Sequence, residues 1–130
     1  MVKTLRQVTD DRVRAYIVWL PIYGGDFEGE AGKLSNSFRD KRVSYFLDPE
    51  NETGKEWQPV LKTPFLAWDV YLLYGPDIQW EKEPPQPTFW MHQLGLVKSA
   101  PQLDEETFTA KLKAMVGDLK GPAATRLQGR

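Results

Sequence analysis

The chain has 130 residues, a length that suits one domain able to bury roughly two thirds of its surface. Its 17 Lys and Arg balance 18 Asp and Glu, so no basic excess points to a nucleic-acid partner. With no cysteine there can be no disulfide, thiolate nucleophile or thiolate metal site, and a single histidine, His92, excludes a multi-histidine centre. No Asp-x-Asp-x-Asp-Gly calcium loop is present, and no metal or cofactor is expected. Residues 1–11 hold no apolar segment of the signal-peptide kind. No apolar run nears the ~20 residues that a membrane span needs. The expectation is a cytoplasmic protein with no membrane partner.

The first element in chain order lies at 13–22, where Val-Arg-Ala-Tyr-Ile-Val-Trp-Leu-Pro-Ile is β-branched, aromatic and nearly all apolar from Tyr16 onward. That run predicts a strand of a parallel sheet, buried on both faces. Pro21 and Gly24-Gly25 end it. The glycine pair lacks the Gly-x-x-x-x-Gly-Lys pattern of a phosphate loop. A helix is predicted over 26–39, with Asp26 as cap and Phe27, Ala31, Leu34 and Phe38 on one face. Residues 42–47 form a second strand. Asp48-Pro49 then predicts an immediate helix start, which Pro59 should kink or stop near Gln58.

Residues 66–74 (Leu-Ala-Trp-Asp-Val-Tyr-Leu-Leu-Tyr) give the strongest strand signal. Gly75-Pro76-Asp77 is turn chemistry, and Pro84-Pro85 with Pro87 makes a stiff extended link to a fourth strand at 88–94. The last two strands therefore read as a hairpin with a long, proline-rich loop. A closing helix is predicted over 104–119, capped by Asp104, stapled by Leu103 and Phe108, and buried along Phe108, Leu112, Met115, Val116 and Leu119. No internal repeat or low-complexity tract is evident. Alternation followed by a hairpin and a helix implies an α/β protein with a mixed sheet flanked by helices, in the order β-α-β-α-β-β-α.

Four segments carry a resemblance: Tyr-Ile-Val-Trp-Leu-Pro-Ile at 16–22, Arg-Val-Ser-Tyr-Phe-Leu-Asp-Pro at 42–49, Ala-Trp-Asp-Val-Tyr-Leu-Leu-Tyr at 67–74 and Phe-Trp-Met-His-Gln-Leu at 89–94. Together they resemble an uncharacterised branch of thioredoxin-like proteins, and 47–74 is similar to the strand–helix–strand before the closing hairpin of peroxiredoxin-like thiol reductases. The resemblance covers roughly 13–94, and the last helix by order, and implies one thioredoxin-like domain over 1–121; the stretch over 122–130, with Arg126 and Arg130 and no acid, reads as a flexible, solvated tail. Two departures accompany it. The central strand and the helix start that carry Cys-x-x-Cys would precede Met1, leaving residues 2–8 as the end of that helix. The cis-proline position before the third strand falls on Ala67 or Trp68, since Pro64 lies too early.

A missing central strand would leave two apolar strand edges beside a gap, one at 16–22 and one at 70–74. The expectation is that the sheet rearranges, or that a homodimer or partner protein completes it. The resemblance without its cysteines implies a non-catalytic binding or assembly module. One alternative is the C-terminal portion of a thiol or selenol disulfide oxidoreductase whose active-site codon was read as a stop. Another is a small-ligand carrier around Trp68, Trp90 and His92.

Five residues are candidates for a ligand or partner surface. His92 is the sole obvious general acid or base, yet a lone strand histidine favours a structural role. Asp69 interrupts an apolar run and needs a partner, most simply at a strand end. Trp68 and Trp90 flank them. Trp80, beside Glu81, Glu83 and the prolines, is the tryptophan expected at the surface, whereas Trp19 and Trp57 are expected in the core.

Overall fold

The computed structural model describes residues 1–22 and 25–119; residues 23–24 and the expected tail at 122–130 lie outside them. Eight elements follow one another: α1 (Val2–Gln7), β1 (Ala15–Trp19), α2 (Phe27–Ser37), β2 (Val43–Leu47), α3 (Glu52–Leu61), β3 (Val70–Leu73), β4 (Phe89–His92) and α4 (Glu105–Gly117). After α1, the succession is strand, helix, strand, helix, strand, strand, helix. The expected single mixed sheet is not what forms. Parallel β1–β2 and antiparallel β3–β4 are separate two-stranded sheets.

The two parallel strands start from one device. Asp10 accepts from the Arg12 backbone N–H at 2.8 Å, from Arg12 Nε at 3.0 Å and from Nη2 at 2.8 Å. Asp40 does the same for Arg42, at 2.9, 3.0 and 2.7 Å. In each turn the valine that follows donates back to the aspartate carbonyl. Asp-x-Arg-Val is thus a short repeat that the sequence reading passed over. The side-chain and then the backbone hydrogen bonds of Arg12 hold Asp10 at a pKa of about 2, and those of Arg42 do so for Asp40. Arg42 is buried and reaches on to the carbonyls of Leu5 and Val8, so it also satisfies the carboxyl end of α1.

Asp26 caps α2, accepting from Gly29 N–H at 2.9 Å, and Asp104 caps α4, accepting from Thr107 N–H at 2.9 Å. The start of α3 corrects the sequence reading. Pro49 and Glu50 form a turn, Asn51 takes a left-handed φ of 57°, and the helix begins at Glu52. Asp48 still caps it from four and five residues away, accepting from the Glu52 and Thr53 N–H groups at 3.0 and 2.8 Å. Pro59 does not stop α3 either. It sits in the last turn on the exposed side, and the helix ends only when Lys62 adopts a φ of 57°.

The strand expected over 66–74 shrinks to β3, Val70–Leu73. Ala67 is buried and donates its N–H to Gly54 O in α3, and Asp69 has a φ of 50°; both remove this stretch from extended pairing. Gly54 is one of the places where the halves of the chain meet. A Cβ there would lie 2.8 Å from Leu66 Cγ, 2.9 Å from Ala67 O and 3.0 Å from Leu20 Cδ2. Only glycine lets α3 rest against both the end of β1 and the approach to β3.

The main apolar core belongs to the hairpin. Leu73, Met91 and Phe108 are buried together, with Met1, Tyr71, Phe89, Leu103, Leu112 and Met115 packed around them. The staple of Leu103 and Phe108 is part of this cluster. Helix α1 joins α4 through a buried contact between Thr4 Oγ1 and Thr109 Oγ1 at 2.8 Å.

Candidate functional site

The side of β1–β2 away from α2 is bare. Alternation puts Tyr16 and Val18 on one side of β1, opposite Ser44 and Phe46 of β2. Helix α2 takes the other side, where Tyr45 Oη donates to Phe38 O at 2.6 Å and Trp19 lines a shared hollow with Ala31 and Ser35. The expectation that β1 is buried on both faces therefore fails. Tyr16 is 68% exposed and Phe46 50%, their ring centroids 6.3 Å apart. Arg14 lies two residues before Tyr16, just ahead of β1, and is exposed. Its guanidinium donates to the carbonyls of Asp11 and Val13 and makes no ion pair among the described residues. Neither strand flags this in its own sequence, because aromatic and β-branched residues occupy both sides; only the outward Ser44 hints at it.

A second exposed cluster stands on the proline-rich loop. The Trp57 ring NH donates to Tyr74 Oη at 2.9 Å, and Tyr74 Oη donates to Pro85 O at 2.8 Å. Gln86 Nε2 donates to Val60 O at 2.6 Å. These bonds pin the extended prolines to α3. Trp80 meets Trp57 edge to face, centroids 4.7 Å apart, and remains 54% exposed, with Ile78 beside it in the chain at 42%. Asp77, Glu81 and Glu83 around it are exposed, and none forms an ion pair among the described residues. Trp80 is thus at the surface as expected. Trp57 is partly buried, as its support.

The remaining candidates lie in and beside the β3–β4 hairpin. His92 is wholly buried. Its Nδ1 accepts from Leu94 N–H at 3.1 Å, which leaves Nε2–H to donate to Ala100 O at 2.9 Å. Its backbone pairs with Pro101 and Leu103, so residues 100–103 close the outer edge of β4. Trp90 lies 5.6 Å from the His92 ring. Asp69 sits at the entrance to β3 and accepts from Tyr71 Oη at 2.8 Å, a hydroxyl also 3.2 Å from Gln93 Oε1. Burial first, then that bond to Asp69, raise the Tyr71 hydroxyl above the usual phenol range. Trp68 adjoins this group, partly buried.

The structure therefore brings Trp90 against His92 and keeps Trp80 apart, on the proline loop over α3. Two surface hollows lie among the described residues. One, about 260 Å³, lies between α1 and α4 among Lys3, Gln7, Glu105, Glu106 and Lys113; the other, about 150 Å³, lies between α2 and β2. Both fall below the roughly 300 Å³ of ordinary ligand pockets, and neither is lined by Trp68, Trp90 or His92. Among the described residues no acidic and histidine side chains gather into a metal site, and no helix is long and apolar enough to cross a membrane. No protein-family model, curated protein or solved structure matches the chain.

Proposed function

We propose that this chain is a thioredoxin-like module without redox chemistry that works by assembly, most simply as a homodimer. The observation that carries this reading is the bare aromatic side of β1–β2. Parallel strands occur almost only where both faces of the sheet are covered. Here α2 lies against one side, where Leu47 is still 49% exposed, and leaves Tyr16 and Phe46 largely to water. A further polypeptide that covers this side removes that apolar surface from solvent. Light scattering over a dilution series tests the reading. A mass of two chains at micromolar concentration is expected, and one chain at every concentration overturns it.

The separation of the two sheets favours a second reading. Gly54 lies between the end of β1 and the approach to β3, and among the described residues no ladder joins the two strands. An extra strand between them would make one mixed sheet, as in the C-terminal portion of a thiol or selenol disulfide oxidoreductase. In-frame upstream DNA encoding a strand and a Cys-x-x-Cys-like motif would support it. Unrelated upstream sequence would remove it.

A further inference from the structure

Resting on the assembly reading, we propose that two copies of this chain dock reciprocally. The Ile78–Trp80 loop of each copy seats on the bare Tyr16–Phe46 side of the other.

Three observations select this arrangement. The first is chemical. One patch presents Tyr16 and Phe46, with the exposed Arg14 two residues before Tyr16 in the chain; the other presents Ile78 and Trp80 among exposed Asp77, Glu81, Lys82 and Glu83, three anions and one cation, and none of these charges forms an ion pair among the described residues. The loop is net negative and Arg14 is positive, so unlike patches attract, whereas two copies of the same patch would set like net charges together.

The second is area. Three aromatic rings of about 200 Å² each, exposed by 68%, 50% and 54%, together with Ile78, expose roughly 400 Å² of apolar surface per chain. At the usual apolar share of about 60%, that belongs to an interface of roughly 700 Å² per partner, close to the ~800 Å² of a stable complex. The Tyr16–Phe46 patch alone reaches about half of this. A twofold axis that uses both patches at once reaches it without any further surface.

The third is preorganisation. Trp80 is braced edge to face on Trp57, which is itself fixed to Tyr74, and Tyr74 holds the proline segment at Pro85. A tryptophan already held in place loses little rotamer freedom on binding, which is the character of an interface anchor.

The test is the dimer dissociation constant from sedimentation equilibrium, with circular dichroism as the check on folding. All the substituted side chains are exposed, so the variants are expected to fold as the parent does. Trp80→Ala and Tyr16→Ser should each weaken the dimer at least tenfold. Arg14→Glu and Glu81→Arg should each weaken it, and the two together should regain most of the loss. The absence of native cysteine adds a second measurement. Mixed Phe46→Cys and Ile78→Cys chains should form a crossed disulfide that neither forms alone.

A dimer unmoved by Trp80→Ala and Arg14→Glu, with no crossed disulfide, overturns this docking and leaves assembly through another surface standing. Weakening by both charge variants without recovery in the pair overturns the reciprocal match. A parent chain that is monomeric throughout overturns the docking together with the assembly reading.

Discussion

The two small sheets of this protein face opposite situations. The β3–β4 hairpin has α4 against its buried side, with α1 bonded to α4, residues 100–103 along the outer edge of β4, and a shared core of Leu73, Met91 and Phe108. The β1–β2 pair has one helix, one covered side and an aromatic side in water. The buried polar atoms without a partner fall the same way. Among the described residues they are Arg12 Nη1, Trp19 Nε1 and Asn51 Oδ1, all in the first half of the chain. Strand propensity is high in both sheets, so propensity did not decide which would be closed. Closure came from what the neighbouring segments could bring to each strand.

If the hairpin half holds most of the folding free energy, its centre should be the most sensitive point. Phe108→Ala removes the best-buried ring of the cluster and should cost about 3–5 kcal/mol in urea denaturation. A loss below 1 kcal/mol would break the comparison, because it would mean that the hairpin core can collapse around the gap. His92→Phe keeps the bulk of the side chain but orphans the Leu94 N–H and the Ala100 carbonyl. About 1–3 kcal/mol should follow for each orphaned group that stays dry. Hydrogen exchange at Leu94 and Leu103 should rise in that variant if residues 100–103 peel away from β4.

Gly54→Ala tests the joint between the halves. The new methyl would lie 2.9 Å from a backbone oxygen, which cannot move aside as a side-chain end can. The expected loss is about 1–3 kcal/mol. A neutral result would show that the halves slide relative to one another without cost.

A pH titration sharpens the comparison from the other side. Asp10 and Asp40 ionise at about 2 in the folded chain, against 3.8 without their arginine partners. The unfolded chain therefore takes up protons first as the pH falls. The stability that the two turns contribute is complete above about pH 4 and declines as the pH drops toward 2. Denaturation midpoints between pH 5 and 2 should fall less steeply in an Asp10→Asn, Asp40→Asn double variant than in the parent. Equal slopes would mean that the paired turns contribute nothing to acid resistance.

Much of this architecture was legible in the sequence, for identifiable reasons. Asp26 and Asp104 announced their helices because a capping carboxylate acts through the three residues that follow it. The hairpin was legible because two apolar runs flank turn and proline chemistry. Residues 66–69 misled because Leu-Ala-Trp has strand composition, whereas Gly54, far away in the chain, claims the Ala67 N–H and Asp69 turns left-handed. Pro49 misled because the Asp48 carboxylate reaches past a turn to cap α3 from further off. Among the candidate residues, exposure of Trp80 followed from its acidic, proline-rich surroundings. The hydrogen bonds of the His92 ring run to residues 94 and 100, which no local pattern connects to it. The bare side of β1–β2 was hidden for the same reason: covering a strand is a tertiary event, and Tyr16 looks identical on either side of a sheet.

The smallest predicted effect is therefore the most discriminating. Phe46→Ser replaces half-exposed aromatic surface with a hydroxyl that water can satisfy. In an isolated chain it should change stability by no more than about 0.5 kcal/mol. The same substitution in the hairpin core would be ruinous. If Phe46→Ser instead costs several kcal/mol at high protein concentration and almost nothing on dilution, the energy belongs to contact between chains, because only an association equilibrium makes a substitution's cost depend on concentration. If its cost is large and independent of concentration, Phe46 is covered within a single chain. The contrast between a closed hairpin and an open parallel pair would then be withdrawn.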